Sequence, residues 1–424
     1  MESVKVFGTN ELLGVFDLFD FITFVVVFLT VGFIINQFVS RALKFERNEN
    51  RTLLLALVFR MLLTYYYYYY FAGQAADIGN YFYYAASNEF SLNGLLTTST
   101  QFINNVCSLF YPFARPFGNQ YLMLFVPFAL LGHCGALLFY SVCRRFESVD
   151  LRVRRVLALF LPNLVFWTSN MGKDSLIFFG FALVIFGILD KRSMLTRVLT
   201  IVSGFLLVFS IRPHSGLILL VSFLLGIVFQ SSKQNVRSIF ILIIAMAAFF
   251  MTYGKALDFV GIKISEDETK DAVETISDIY GQAMVDMNKR SVGLNVGAAA
   301  TGASPVDLLK SPFYFISFIG GPFIWQARKP IHVASALESI IYQLMLLYIM
   351  LNWRYYFRQN LLEMKYAWAL YVILSSVILG MSYANFGLTI RQKCMVIPEI
   401  VLIYLAIRNK KDEEKALALE ETEE

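Results

Sequence analysis

Phe21-Ile-Thr-Phe-Val-Val-Val-Phe-Leu-Thr-Val-Gly-Phe-Ile-Ile-Asn-Gln-Phe-Val39 runs directly into Ser40-Arg41-Ala-Leu-Lys44-Phe-Glu-Arg47, and this coupling of an apolar run to a short basic loop decides the fold class. A helix needs roughly 20 residues at about 1.5 Å rise to cross the hydrocarbon core, and Phe21 to Val39 supplies that length without a charge. The pattern then repeats. Basic loops at Arg144-Arg145 through Arg152, Arg154 and Arg155, at Lys191-Arg192 through Arg197, at Lys233 to Arg237 and at Arg354 to Lys365 separate further apolar runs. The positive-inside rule assigns these loops to the cytoplasmic face.

Composition excludes a soluble globular chain: 57% of the 424 residues are hydrophobic and 16% charged, with a mean hydropathy of +0.60. The net charge of +5 is concentrated in the basic loops, so it reports topology and gives no sign of a nucleic-acid partner. Cys107, Cys134, Cys143 and Cys394 show no CxxC spacing and lie mostly within apolar runs, which argues against a disulfide framework or a zinc site.

The fold expected is all-α, a polytopic transmembrane helical bundle. Clear spans are Phe21 to Val39, Leu53 to Phe71, Tyr121 to Val142, Ser215 to Gln230, Ser238 to Tyr253, Val333 to Trp353 and Tyr366 to Tyr383. Val156 to Ser169, Ser175 to Leu189, Val198 to Ile211 and Cys394 to Ile407 are shorter, and cross only with snorkelling or local thinning. Ser311 to Trp325 carries Pro312, Gly320, Gly321 and Pro322; a crossing there would invert the basic loop after it, so it is expected as a re-entrant or interfacial segment. About 11 spans follow, amino terminus out and carboxyl terminus in. Residues 1–407 make one integral membrane domain with outer loops at 72–120 and 254–330, and residues 408–424 a cytoplasmic charged tail, frayed or weakly helical. Phe21 to Val39 is too long for the apolar core of a cleavable signal, and no small-residue cleavage site follows it. There is no internal repeat, which weakens a secondary-transporter reading.

Two charges fall inside spans. Arg60 lies nine residues beyond Arg51 and Glu399 nine before Arg408, so both sit roughly 13 Å from the same face by helix rise. Equal depth and opposite sign suit a structural ion pair. Equally open is Arg60 snorkelling inward with Glu399 protonated.

The other polar groups collect on the outer face. Asp77, with Asn80, opens an amphipathic helix and fits either a helix cap or a group that takes a proton from a sugar hydroxyl or helps hold a metal. The tyrosines Tyr65 to Tyr70 point all round a helix, some into the interfacial belt. The run Pro162 to Ser175 joins two short spans through a turn at Trp167 to Asp174, with Asp174 capping the next helix. There Lys173 is either a solvated loop lysine or part of a phosphate site at a helix amino terminus. Arg212-Pro213-His214 forms a third cluster and Asn385 to Lys393 a fourth. Arg391 and Lys393 at the outer end of the last span suit a diphosphate head group, or snorkel to lipid phosphate. Gly261 to Ala303, charged and helical in pattern before a stretch of small residues, suits either a lid or an ordinary surface loop.

Taken together, the turn at Asp77, the run Pro162 to Asp174, Arg212-Pro213-His214, Gly321-Pro322-Phe-Ile-Trp325 with Glu338, and Asn385 through Arg391 to Pro398 resemble the Wzy-type polysaccharide polymerases of O-antigen and exopolysaccharide clusters. More distantly they resemble the GT-C glycosyltransferase superfamily. The resemblance implies a multi-pass protein of the bacterial inner membrane. Its implied activity is glycosyl transfer at the extracytoplasmic face, from one polyprenyl-diphosphate-linked glycan to another, beside other polysaccharide-export proteins. Asp77 stands where those transferases place a base or acceptor ligand, with His214 assisting. The implied substrate-binding set is Asn80, Trp167, Lys173, Arg212, Arg391 and Lys393, the cations stabilising the departing diphosphate. No cofactor is implied; a divalent metal is compatible. A polyprenyl-phosphate sugar donor and a lipid-linked glycan flippase remain as alternatives.

Overall fold

The computed structural model describes residues 17–71, 77–190, 193–230, 311–327, 330–382 and 386–423, and among them every regular element is helical. The expected span Ser238 to Tyr253, the loop Lys233 to Arg237, the segment Gly261 to Ala303 and Asn385 lie outside the described residues. Among the described residues, five helices are long and apolar enough to cross a membrane: Leu18–Ala42, Gln120–Cys143, Met194–Ile211, Pro213–Gln230 and His332–Leu351. The chain is a helical membrane protein. It divides into two compact units, Met1–Pro213 and His214–Glu424.

The first unit holds α1 (Leu18–Ala42), α2 (Asn50–Phe71), α3 (Asp77–Ser87), α4 (Ser99–Ala114), α5 (Gln120–Cys143), α6 (Leu151–Leu159), α7 (Pro162–Trp167), α8 (Lys173–Leu189) and α9 (Met194–Ile211). Caps set several starts: Asp17, Asn119 and Asp150 each accept a backbone N–H of the first turn, at 2.9, 2.9 and 2.6 Å. α5 is the core helix, buried along most of its length and packed by α1, α2, α4, α6 and α8. α8 and α9 form a hairpin whose backbones nearly touch. A Cβ on Gly204 would lie 2.6 Å from the Gly180 carbonyl oxygen, so only small residues permit this approach.

Tyr67 and Tyr68 are buried while Tyr66 and Tyr69 are exposed, as a run of tyrosines on one helix dictates. Together with Arg60 they make α2 more polar than the other long helices of the first unit.

The expected span Val156 to Ser169 is not one helix. α6 ends at Leu159 and α7 starts at Pro162. Proline lacks an N–H and keeps the residue before it out of the helical region, and Leu161 is extended at φ −66°, ψ 112°. The nine residues of α6 rise only roughly 14 Å. The chain therefore turns inside the unit rather than beyond it, and the turn at 168–172 is buried against Arg60 of α2 and Gly132 of α5, both near the middle of their helices.

The second unit holds α10 (Pro213–Gln230, entering from the first), α11 (Ser311–Gly320), α12 (Pro330–Leu351), α13 (Trp353–Arg358), α14 (Lys365–Ser382), α15 (Phe386–Gln392) and α16 (Ile397–Glu423). α11 has ten residues and rises roughly 15 Å, half of what a crossing requires. Its last carbonyls are satisfied by side chains: Gly320 accepts from Gln343 at 2.8 Å, and Gly321 accepts from Ser339 at 3.0 Å and from Lys393. α16 runs unbroken to Glu423, so the residues expected to be frayed or weakly helical extend the last helix. Lys410 lies 3.8 and 3.7 Å from Glu413 and Glu414 along it.

Candidate functional site

The polar groups of the first unit converge on the amino end of α8. α8 runs alongside α5 in the same direction: Gly135 lies against Phe178 and Phe179, and at the far ends Arg145 reaches Asp190 at 3.5 Å. The start of α8 is thereby level with the middle of α5. The turn Trp167 to Asp174, expected at the outer surface, is instead enclosed by protein, with Thr168, Ser169, Asn170, Met171, Asp174 and Ser175 all buried. Irregular backbone at such depth is tolerated where protein side chains satisfy it, and Arg60 does so. Its Nη1 donates to the Thr168 carbonyl at 2.8 Å, the Thr168 hydroxyl at 3.0 Å and the Ser169 hydroxyl at 3.3 Å. Gly132 makes room for the turn, because a Cβ there would lie 2.1 Å from the Thr168 carbonyl oxygen.

Asp174 is not the cap expected of it. Gly172 holds that position at φ 154°, a conformation that favours glycine, and α8 has no side-chain cap. Asp174 falls in the first turn, where Arg212 at the end of α9 donates Nη2 to its Oδ1 at 2.8 Å. Both are sequestered, Asp174 at 0% exposure and Arg212 at 6%. Asn170 donates Nδ2 to the other carboxylate oxygen at 3.4 Å. The Nζ of Lys173 donates to the hydroxyls of Ser99 and Thr100 at the start of α4, at 3.1 and 3.0 Å. Tyr81 of α3 lies over Gly172, its ring 3.4 Å from where a Cβ would stand.

Asp77 and Asn80 occupy the exposed side of α3, whose buried side is Ile78, Tyr81 and Ala85. Trp167 is half-buried in a cluster of rings, 5.8 Å from Tyr67, 6.1 Å from Phe71 and 5.3 Å from Phe166 between centroids. The structure thus brings Lys173, Arg212, Asp174 and Arg60 around one turn and leaves Asp77 and Asn80 on a neighbouring helix surface.

In the second unit His214 is exposed in the first turn of α10, and Arg391 is half-buried in the last turn of α15. Lys393 is buried and bonded to the Gly321 carbonyl and, at 3.2 Å, to the Ser339 hydroxyl, with its Nζ 5.5 Å from the Tyr342 ring centre. Tyr342 in turn donates to the buried carboxylate of Glu338. Glu399 is fully buried in the first turn of α16. The expected pairing of Arg60 with Glu399 joins residues of different units; within its own unit Arg60 is bonded to Thr168 and Ser169.

Sequence reasoning missed Ser99 and Thr100, which stand in no charged motif, and the contacts of Tyr81 with Gly172 and of Asn170 with Asp174. The available signal was Pro162: a proline inside an already short apolar run marks a broken helix, and a broken helix places its polar turn within the protein.

No protein-family model, no curated protein and no solved structure matches this chain.

Proposed function

We propose that the chain transfers or polymerises polyprenyl-diphosphate-linked glycan repeat units at the extracytoplasmic face of the bacterial inner membrane, on a GT-C-like framework of about 11 spans. The observation that carries this reading is the gathering of cations at the amino end of α8. Among the described residues Arg60, Lys173 and Arg212 stand there with the carboxylate of Asp174, and the helix end carries no side-chain cap. A helix end without a side-chain cap, the helix dipole and clustered cations all favour an anion. A diphosphate meets that demand, and its sugar ester needs little further help, since the diphosphate is a good leaving group once its charge is stabilised.

In this reading Lys173, half-buried at the very start of α8 and bonded to the hydroxyls of Ser99 and Thr100, is the first cation to meet the diphosphate. Arg212 acts while still bonded to Asp174, which fixes its position. Asp77 orients or deprotonates the acceptor hydroxyl, and Arg391 is a further cation suited to a phosphate group. Replacing Asp77 and Arg391 separately by alanine, in cells or vesicles supplied with lipid-linked repeat units, is expected to shorten or abolish the polymer. Polymer of unchanged length in both variants would remove the enzymatic reading.

One feature favours a second reading, a lipid-linked glycan flippase: the polar break between α7 and α8 lies level with the middle of α2 and α5, as in carriers built from interrupted helices. Vesicles loaded with one lipid-linked unit and no acceptor separate the two, since a flippase moves the unit across the bilayer and a transferase leaves it in place.

A further inference from the structure

Glu399 stands apart from every cluster described so far. It is in the first turn of α16 at 0% exposure, and both its carboxylate oxygens are buried and accept no hydrogen bond from another described residue. The residues one turn before and after it on its own side, Met395, Val396, Leu402 and Ile403, are buried and apolar.

Among the described residues the helices packed most closely against α16 are α12, α13 and α14, and the titratable side chains nearest its start have partners of their own. Tyr371 of α14 donates to the Met395 carbonyl at 3.1 Å, Tyr348 of α12 packs on Tyr404, and Arg358 of α13 reaches Glu414 at 3.6 Å. Glu338 of α12 accepts from Tyr342, and Lys393, six residues before Glu399, is bonded to Gly321 and Ser339.

An ionised carboxylate without a donor or counter-charge is strongly disfavoured in such surroundings, whereas the neutral acid is tolerated. A metal ion asks for several ligands, and among the described residues no three His, Cys, Asp or Glu side chains come together. A proton asks for one oxygen. We propose that Glu399 is a proton-binding site: it is held here as the neutral carboxylic acid, and it yields its proton to water, as carboxylate and hydronium, when the start of α16 opens to solvent. A buried acid of this kind gives the second unit a group that answers to proton concentration, whatever the activity of the first unit.

The test uses the full chain in lipid vesicles, with infrared spectroscopy of the carboxyl carbonyl stretch and labelling by dicyclohexylcarbodiimide, which adds to protonated carboxyls in apolar surroundings. The wild type is expected to show the band of a protonated, weakly bonded acid that Glu399→Gln removes and Arg60→Met leaves unchanged. It is also expected to carry the reagent on the peptide containing Glu399. A spectrum unaltered by Glu399→Gln, or a band that appears only after Arg60→Met, would mean an ionised, paired carboxylate and overturn the proposal. Should Glu399→Gln fail to fold, labelling of the wild type decides: an adduct at Glu399 sustains the proposal, and its absence at both neutral and acidic pH ends it.

Discussion

Arg212 and Asp174, 38 residues apart, form a buried ion pair with Nη2 and Oδ1 separated by 2.8 Å. The pair ties the end of α9 to the start of α8 and closes the hairpin that Gly180 and Gly204 bring together. Removing one member of such a pair leaves the other charge uncompensated, at a cost of about 3–5 kcal/mol. Arg212→Met and Asp174→Asn are each expected to lower the unfolding midpoint of the detergent-solubilised protein markedly. The double variant should recover part of the loss. Additive losses would show that the two side chains are not coupled.

Arg60 and Gly132 both meet the turn at 168–172 at the Thr168 carbonyl. Arg60→Met deprives the buried Thr168 carbonyl of its charged donor, worth roughly 1.5–3 kcal/mol. Gly132→Ala places a methyl group 2.1 Å from the same oxygen, which backbone movement alone can relieve, at about 1–3 kcal/mol. A cysteine introduced at Asn170, buried in the parent, is expected to become reactive to a water-soluble thiol reagent in either background. Protection equal to that in the parent would show that the turn does not depend on these two residues.

Much of the framework was legible because hydrocarbon solvation leaves a coarse trace in a sequence. The runs Phe21 to Val39, Tyr121 to Val142, Val198 to Ile211 and Ser215 to Gln230 fall within helices of crossing length, and Val333 to Trp353 overruns such a helix, which ends at Leu351, by two residues. The hydropathy of Val156 to Ser169 hid the break at Pro162, since an apolar run reads alike whether it crosses or turns back. Pair partners were the least legible. Arg60 invites a carboxylate by charge, yet its Nη1 is satisfied by one backbone carbonyl and two hydroxyls, uncharged groups that are silent in a charge pattern. Asp174 read as a cap because capping is local, whereas its partner Arg212 is brought to it by the return of α9.

Lys393 is placed to hold the carboxyl end of α11, where a cation also complements the helix dipole. Lys393→Met would leave the Gly321 carbonyl with Ser339 alone and cost about 1–3 kcal/mol. Chymotrypsin applied to solubilised protein should then cut more readily at Phe323 and Trp325. Lys393→Arg keeps the charge in a larger head group and should restore part of the resistance. A cleavage pattern identical in all three proteins would contradict the role of Lys393 as a latch.

Lys173 separates stability from function. It is half-buried, and its partners include the hydroxyls of Ser99 and Thr100 at the start of α4, which need no cation to be satisfied. Lys173→Ala is expected to change unfolding less than it changes binding, since the side chain lies outside the fully buried core. The loss of a charge-assisted contact to phosphate is worth more, roughly 1.5–3 kcal/mol, or about ten- to a hundredfold in affinity. Binding of a short-chain polyprenyl diphosphate to vesicle-embedded protein measures the second quantity, and thermal unfolding in the absence of lipid substrate the first. Weakened binding with unchanged unfolding would locate the diphosphate at the amino end of α8. Unchanged binding would remove Lys173 from the site and, with it, the charge argument on which the proposed activity rests.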